Sequence, residues 1–435
     1  WWSRSPQVGF EPLVLNLDPD AADYYDYYGK DWFAAGLLHQ QRFAAGPLIG
    51  GALTTYASWR WVFAGEVVIV AIILAMTGRM ADGESDRDAR LDLGGTALSA
   101  LGLGLVVFGI LRAGAWGFVN PKPGAPVWIG LSPTIWLMLG GGLVLLVFAA
   151  WEKRRVEAGQ SVLIDPTILR NPVLRGGLTA FLFQFLLQAG LFFCVPLYLS
   201  VALGLSAVET GIRILPLSIT LLLAAVGVPK IWPQASPQRV ARFGFLGLLA
   251  GIVSLMGALE LGAGPEIVTL PLLLAGLGIG ALASQLGAVT VSSVPDEQSP
   301  EVGGLQNTFT NLGASVGTAL AGAILVSALT TSFFTGIQDN PAIPETLTSK
   351  AQVEFAGGIQ FIPDSDLEAA LSKAGITGDT AQAIMEENSQ SRIAGLRAAL
   401  AALAVLAIAA LFSTGSLPTR QGQSDADAKV PAGLS

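Results

Sequence analysis

The sequence predicts an all-α, polytopic membrane protein with about ten transmembrane helices. Hydrophobic residues make up 52% of the 435 positions and charged residues only 13%, and the mean hydropathy is +0.59. Soluble chains are about one quarter charged, so this chain has too much apolar surface for a water-soluble core. The uncharged residues are concentrated in runs of about 20, the length that a helix needs to cross a bilayer.

Ten segments meet or approach this length. They lie at residues 33–56, 61–79, 93–113, 127–151, 176–201, 207–229, 240–262, 266–294, 303–332 and 394–415. Glycine and proline are frequent within them, which weakens a soluble helix but is common in membrane helices. We therefore interpret each segment as one transmembrane helix.

Lysine and arginine alternate between successive loops and so predict the orientation. The loops after the second, fourth and sixth segments are basic, at residues 79–90, 153–175 and 230–242, whereas the opposite loops hold few basic residues. Cytoplasmic loops carry the excess of lysine and arginine. These three loops and the C-terminus are therefore expected in the cytoplasm, with the chain as a multi-pass protein of the cell membrane.

Two polar regions fall outside the spans. Residues 333–391 are acidic and are expected to form an extracytoplasmic helical cap. There, Ser365 and Glu368 have capping-box spacing and predict a helix over DSDLEAALSKAG, and DTAQAIMEEN predicts a second short helix. Residues 1–31 are acidic and tyrosine-rich and lack the apolar core of a signal peptide, so we leave them unassigned, as disordered or artefactual.

The most informative motif lies between Phe43 and Phe63, where FAAGPLIGGALTTYASWRWVF joins small residues to an aromatic-flanked arginine. Small residues four positions apart let helix backbones approach closely, and proline bends a membrane helix. The motif Gly46, Pro47, Gly50 and Gly51 resembles the antiporter motif of the major facilitator superfamily. The Trp-Arg-Trp around Arg60 resembles the fourteen-span drug:proton antiporter branch.

This resemblance implies two six-helix halves that flank two extra helices, with substrate bound between the halves near the membrane midplane. The first four helices of that pattern are missing from the sequence, so truncation is expected. The ten spans and their loops then divide into 32–79, the last two helices of the N-terminal half; 80–175, two extra helices with cytoplasmic loops; 176–332, the first five helices of the C-terminal half; 333–391, the extracytoplasmic loop; 392–416, the last helix; and 417–435, a cytoplasmic tail.

Glu66 is the sole acidic residue within the second span and follows Arg60 by about one and a half turns. An acid inside a bilayer is by default a functional candidate, because burial favours its protonated form. Proton or substrate coupling is one interpretation. A structural acid that pairs with Arg60 is the other.

Uncharged amides are the remaining candidates for a substrate cavity. Gln184 and Gln188 lie four residues apart on the fifth span, Asn307 and Asn311 repeat this spacing on the ninth, and Gln285 lies in the eighth. Amides can line a wet cavity, but they also join helices by hydrogen bonds. We favour the cavity for the glutamines and a joining or capping role for the asparagines. Three other patterns are interpreted as structural: an ion pair of Glu209 with Arg213, and helix-packing faces at Gly276, Gly278 and Gly280 and at Gly313, Gly317 and Ala321.

Several functions lack the residues that they need. His39 is the only histidine and Cys194 the only cysteine, so we expect no metal site, no cofactor and no intrachain disulfide. No catalytic constellation is present, which argues against an enzyme. The basic residues form no stripe with aromatic residues between them, which argues against a nucleic-acid partner.

The sequence therefore favours a secondary active transporter. The resemblance implies proton-coupled export of amphipathic or cationic organic compounds, as in multidrug efflux, with a small organic substrate, protons and the lipid bilayer as partners and a monomer as the assembly. Two alternatives stay open. One is a truncated, inactive remnant of such a transporter, and the other is a carrier for an endogenous metabolite or lipid precursor.

Overall fold

The computed structural model of the protein describes residues 50, 52–58, 60–77, 92–122, 124–295, 298–348, 359 and 361–419. Residues 1–31, most of the first predicted span and residues 420–435 lie outside this part of the chain. The same is true of three motif residues, Gly46, Pro47 and Gly51.

The first three long helices of the described chain are α1 (Arg60–Thr77), α2 (Leu93–Trp116) and α3 (Pro133–Glu157). A 3-10 turn at Pro166–Arg170 follows α3 and leads into the helices of the second half. Helices α2 and α3 form an antiparallel hairpin. This hairpin corresponds to the predicted third and fourth spans.

The described part of the chain contains seven further long helices. They are α4 (Pro172–Pro196, extended by a π-helical turn at Leu197–Ala202), α5 (Ala207–Ile231), α6 (Pro237–Ala258), α7 (Thr269–Val291), α8 (Ser299–Asp339), α9 (Asp364–Lys373) and α10 (Asp379–Ser413). Among the described helices, eight are long and apolar enough to cross a membrane, namely α2 to α8 and α10. The predicted all-α, polytopic fold is confirmed.

Five of these helices begin at a polar residue just before the apolar run. The side chain of this N-cap residue accepts a hydrogen bond from a backbone N–H group of the first turn, which would otherwise lack a partner. The N-cap residues are Asp92 for α2, Ser132 for α3, Asn171 for α4, Ser206 for α5 and Ser236 for α6.

Six helices, α4 to α8 and α10, pack together as one bundle around an apolar core that includes Leu187, Phe245 and Leu248. Glycines bring the backbones close, as expected for membrane helices that associate mainly by van der Waals packing. A side chain at Gly313 or Gly317 of α8 would collide with the carbonyl groups of Leu182 or Leu186 on α4. The predicted packing role of this glycine face is confirmed.

Helix α7 lies between two neighbours and uses a different glycine for each side. Gly276 and Gly280 leave room for the backbone of α5, and Gly278 leaves room for α6 near Gly244. A helix with bulky residues at these positions could not pack closely against both neighbours. The interpretation of this glycine run as a packing feature is therefore confirmed.

The described helices run between two ends of the bundle. One end carries the loop residues 158–171 and the turn at 232–236, and we call it the basic end. The opposite end carries residues 203–206 and helix α9, and we call it the cap end.

Three local predictions are wrong. Helix α9 begins at Asp364 after the N-cap Pro363 and has no side-chain cap, so Ser365 and Glu368 form no capping box. DTAQAIMEEN is not a separate short helix, because α10 continues without a break from Asp379 to Ser413. Glu209 binds the backbone N–H and hydroxyl of Ser206 in a capping box, and no ion pair joins it to Arg213 in the described structure.

Candidate functional site

The centre of the bundle is α4, which is covered on three sides. Leu182 and Leu186 contact α8, Gly190 contacts Leu403 of α10, and Gly177 contacts Thr290 of α7. No residue of α4 between Gly176 and Pro196 is fully exposed. Helix α4 is therefore recessed relative to its neighbours.

The fourth side of α4 carries a phenylalanine stripe, which we define as Phe181, Phe185 and Phe192. Their spacing of four and seven residues places them on one side of the helix. All three are half-buried, and the rings of Phe181 and Phe185 lie 6.3 Å apart at an interplanar angle of 15°. The open side of α4 therefore carries one stacked pair of aromatic rings, and Phe192 lines a small apolar cavity together with residues of α5 and α7.

The neighbouring part of α8 contributes polar groups to an exposed surface. Asn307 and Asn311 are exposed, and the Asn311 amide donates to the Asn307 carbonyl oxygen at 2.8 Å and to its side-chain oxygen at 3.1 Å. Thr318 lies two turns further on and is also exposed. Polar side chains within a membrane helix usually face protein or water rather than lipid. Asn307, Asn311 and Thr318 therefore form an exposed polar surface on α8.

Gln184 and Gln188 lie beside the phenylalanine stripe, on the side of α4 that faces α7. They are only 3% and 6% exposed, and they share a side of α4 with Gly177 and Leu191, both of which face α7. The Gln184 Oε1 atom is buried without a hydrogen-bond partner. A buried acceptor without a partner is costly and therefore uncommon.

Gln285 lies elsewhere. It is half-buried on α7, about 140° around the helix from Thr290, the residue that contacts α4. Leu282, one turn before it, packs against Gly244 of α6. The structure therefore brings Gln184 and Gln188 together and separates Gln285 from them.

Glu66 and Arg60 both lie on the exposed surface of α1. Of the antiporter motif, Gly50 is described and is helical and half-buried. Five residues later, the Thr55 hydroxyl oxygen accepts a hydrogen bond of 3.3 Å from the backbone N–H of Val208 in the first turn of α5. The segment after the motif therefore contacts the bundle at its cap end.

A polar cluster at the basic end was missed by the sequence reasoning. Asp92 accepts hydrogen bonds from the Gly95 backbone and from the Trp151 indole, and Arg155 lies 3.3 Å away. Burial opposes the ionisation of Asp92, but the hydrogen bonds from Gly95 and Trp151 and the Arg155 charge hold its pKa below the ordinary value. The end of α3 contributes Trp151, Glu152 and Arg155 to this cluster. Their common partner, Asp92, lies 59 or more residues earlier in the sequence, so no local pattern indicates the contact.

The phenylalanine stripe was missed as well. The spacing of these phenylalanines is visible in the sequence. In a uniformly apolar span, however, the sequence does not distinguish phenylalanines that line a cavity from those that face lipid. Among the described residues, no group of three or more histidine, cysteine, aspartate and glutamate side chains could hold a metal ion.

Eight apolar helices, six of them in one bundle with a recessed aromatic face, define a polytopic membrane protein of the transporter type. The chain belongs to the Major Facilitator Superfamily, whose family model matches residues 43–318.

Similar proteins include several that are named for drug resistance or export. The tetracenomycin C resistance and export protein of Streptomyces glaucescens is 30% identical over 65% of this chain and 50% of that protein. A puromycin resistance protein of Streptomyces alboniger is 28% identical over 69% of this chain and 57% of its own. A probable actinorhodin transporter of Streptomyces coelicolor is 25% identical over 72% and 52%. The chain spans about half the length of these relatives.

A solved structure also resembles the protein. It is a bacterial homologue of the human lysosomal transporter Spinster in an inward-facing, unoccupied conformation, with 14% sequence identity and a TM-score of 0.42 over 91% of this chain and 100% of that one.

Proposed function

We propose that the protein is a secondary active transporter that exports amphipathic or cationic organic compounds in exchange for protons. The open side of α4 forms one wall of the substrate cavity. The observation that carries this proposal is the recessed helix α4, whose one open side presents half-buried phenylalanine rings.

The chemistry of this face fits such compounds. Aromatic rings offer apolar area to flat molecules and attract cations through their electron-rich faces. The amides of Asn307 and Asn311 can bind polar groups without a fixed charge, and the unpartnered oxygen of Gln184 can accept a hydrogen bond from a substrate or water that enters between α4 and α7. A site of this kind binds diverse compounds and still releases them. The drug-resistance names of the relatives support the same class of substrate.

The proposed layout is that of the fourteen-span branch. The bundle of α4 to α8 and α10 is the C-terminal half, α2 and α3 are the extra pair, and α1 with the segment before it belongs to the N-terminal half. Transport then follows from rocking of the halves around the cavity. The basic end faces the cytoplasm, in the orientation that the positive-inside rule predicts for the cell membrane.

Contacts at the cap end fit this layout. The hydrogen bond from the Val208 backbone N–H to the Thr55 hydroxyl oxygen supports a contact of the segment after the proposed motif with the bundle. We propose that Gly46, Pro47, Gly50 and Gly51 pack the two halves closed at this end and limit leakage, since small residues permit close helix contact. Glu66 is the proposed coupling acid, because it is an acidic group in an otherwise apolar helix.

The test is uptake of a cationic aromatic dye into inside-out membrane vesicles that contain the protein. We expect uptake that needs a proton gradient of the correct sign and stops when a protonophore collapses it. Uptake that persists without the gradient would remove proton coupling, and vesicles that never accumulate dye would remove transport itself. Glu66→Gln should abolish gradient-driven uptake while exchange of dye at equilibrium continues, and the exposed Glu157→Gln is the matched control.

A further inference from the structure

Asp92 and Glu152 bring two carboxyl groups together at the basic end of the α2–α3 hairpin. The Asp92 side chain is 2% exposed and accepts hydrogen bonds from Gly95 N at 2.9 Å and from Trp151 Nε1 at 3.1 Å. Glu152 is completely buried. A side chain at Gly95 would collide with both carboxyl groups, so they meet directly over this glycine.

The two oxygen atoms of Glu152 have different surroundings. Oε2 accepts a hydrogen bond of 2.9 Å from Leu163 N and a longer one of 3.5 Å from Ile164 N. Oε1 is buried and has no hydrogen-bond partner. A side chain at Gly95 would meet this oxygen first and the Asp92 carboxyl group next, so the two carboxyl groups are neighbours.

Only one positive charge contacts this pair in the described structure. Arg155 lies 3.3 Å from Asp92, and its guanidinium also donates to the Ser161 carbonyl. Within the described part of the chain, the other charged groups of the adjoining elements are engaged elsewhere or exposed. Lys153 forms an exposed ion pair with Glu157, and Arg154 and Arg170 are exposed. The Asp165 carboxylate accepts a hydrogen bond from the Thr167 backbone N–H, and the Glu301 carboxylate of α8 accepts one from the Asp165 backbone N–H.

Two neighbouring buried carboxyl groups do not both ionise beside the single arginine that contacts them in the described residues, because the like charges repel. We propose that Asp92 and Glu152 form a proton-binding site in which Glu152 carries the proton and its Oε1 hydroxyl donates to the Asp92 carboxylate. The proton supplies the partner that Oε1 otherwise lacks. This site is independent of the transport function proposed above.

Proton binding at this site joins the hairpin to the bundle. Glu152 accepts hydrogen bonds from the backbone of residues 163 and 164. The backbone N–H of the next residue, Asp165, donates to Glu301 of α8 at 3.0 Å. Further along the same loop, the Asn171 side chain donates to the Ser293 carbonyl oxygen after α7. Loss of the proton would place two adjacent anions in a buried site and drive Glu152 away from the loop. The connection is therefore held at lower pH and released as the pH rises through the titration of the pair.

Infrared spectroscopy of the purified full chain tests the site directly. A protonated carboxyl group has a carbonyl stretching band that a carboxylate lacks. We expect the wild-type protein to show such a band at neutral pH and to lose it at alkaline pH, and Glu152→Gln to lack it. Glu157→Gln, at an exposed position one turn later, should keep it. A neutral-pH band that is unchanged in Glu152→Gln, or no band in the wild type, would overturn the proposal.

Amide hydrogen exchange of residues 161–171 gives a second readout. Glutamine is a neutral isostere of protonated glutamate and can donate to Asp92, so Glu152→Gln should fold and stay protected at every pH. The wild type should lose protection at alkaline pH, and Glu152→Ala should be unprotected throughout. A Glu152→Gln protein that fails to fold, or that follows the pH profile of the wild type, would count against a shared proton.

Discussion

The six-helix bundle and the α2–α3 hairpin are held together in different ways. Within the most apolar stretch of each helix, 44–56% of the residues are buried in α4 to α7 and α10 and 28% in α8, compared with 22% in α2 and 11% in α3. The bundle therefore makes its own core, whereas the hairpin leaves most of its apolar surface to lipid or to other protein. The hairpin is fixed instead by a close glycine contact in its middle and by polar groups at both ends.

The polar contacts of the hairpin at the cap end illustrate this. The Ser132 hydroxyl donates to the Gly117 carbonyl at 2.7 Å, and Lys122 donates to the Gly114 carbonyl at 2.8 Å. At the basic end, Asp92 joins α2 to α3 through its hydrogen bond with Trp151 and its ion pair with Arg155. Such hydrogen bonds are satisfied within the hairpin and do not depend on a surrounding core. We therefore expect substitutions in the bundle to destabilise the whole protein and substitutions in the hairpin to have local effects.

The largest effect is expected from Gly317→Val in the bundle. The new side chain would collide with the Leu186 backbone and force α8 away from α4, which we expect to destabilise the protein by about 3 kcal/mol. Denaturant or thermal unfolding in detergent measures this loss. Gly304→Val is the control, because Gly304 is exposed on the same helix with no neighbouring atom. Equal effects of the two changes would show that the close contact of α8 with α4 is not important.

A smaller and local effect is expected from Gly141→Val in the hairpin. This side chain would meet the Gly102 carbonyl and Val106 at less than 3 Å, and it should separate α2 from α3 at a cost of about 2 kcal/mol. Hydrogen exchange should rise in α2 and α3 alone. Gly140→Val, one residue earlier in open space, should have little effect. Faster exchange in α6 and α7 would contradict the separation of the two regions.

The smallest effect concerns the pH dependence of the α2 cap. Because the pKa of Asp92 is held below the ordinary value of about 3.9, its carboxylate stabilises the hairpin at neutral pH, and this contribution is lost as the pH falls through the lowered pKa. Exchange of the Gly95 and Thr96 amides should therefore accelerate in acid. Asp92→Asn should remove this acid dependence, and an unchanged acid profile would show that Asp92 is not responsible.

Much of the fold could be predicted because the signals are local. A run of apolar residues bounded by Ser132 or Asn171 defines a helix and its start within one stretch of sequence. Glycines such as Gly278 and Gly317 indicate close packing for the same reason, although the sequence does not say which helix is the neighbour.

The errors occur where the outcome depends on contacts between distant residues or on the absence of a signal. Helix α10 passes from the cap into the membrane without a break, because neither glycine nor proline interrupts it between Asp379 and Ile393. The pairing of Asp92 with Glu152 joins residues 60 positions apart, and neither residue is unusual in its own segment. The phenylalanine stripe is identified as the open side of α4 only from the tertiary structure, in which the other three sides pack against α7, α8 and α10.

The central claim is that the open side of α4 faces an aqueous substrate cavity, whereas the outer side of α10 faces lipid. Cysteine labelling tests it without a transport assay, because the only native cysteine, Cys194, is buried and gives little background. Phe185→Cys lies near the middle of α4, and Val405→Cys lies in the apolar part of α10, where Val405 is 65% exposed. A water-soluble maleimide should label Phe185→Cys, more slowly when a cationic aromatic dye is present, and should leave Val405→Cys unlabelled. Labelling of Val405→Cys with Phe185→Cys inert would contradict the account.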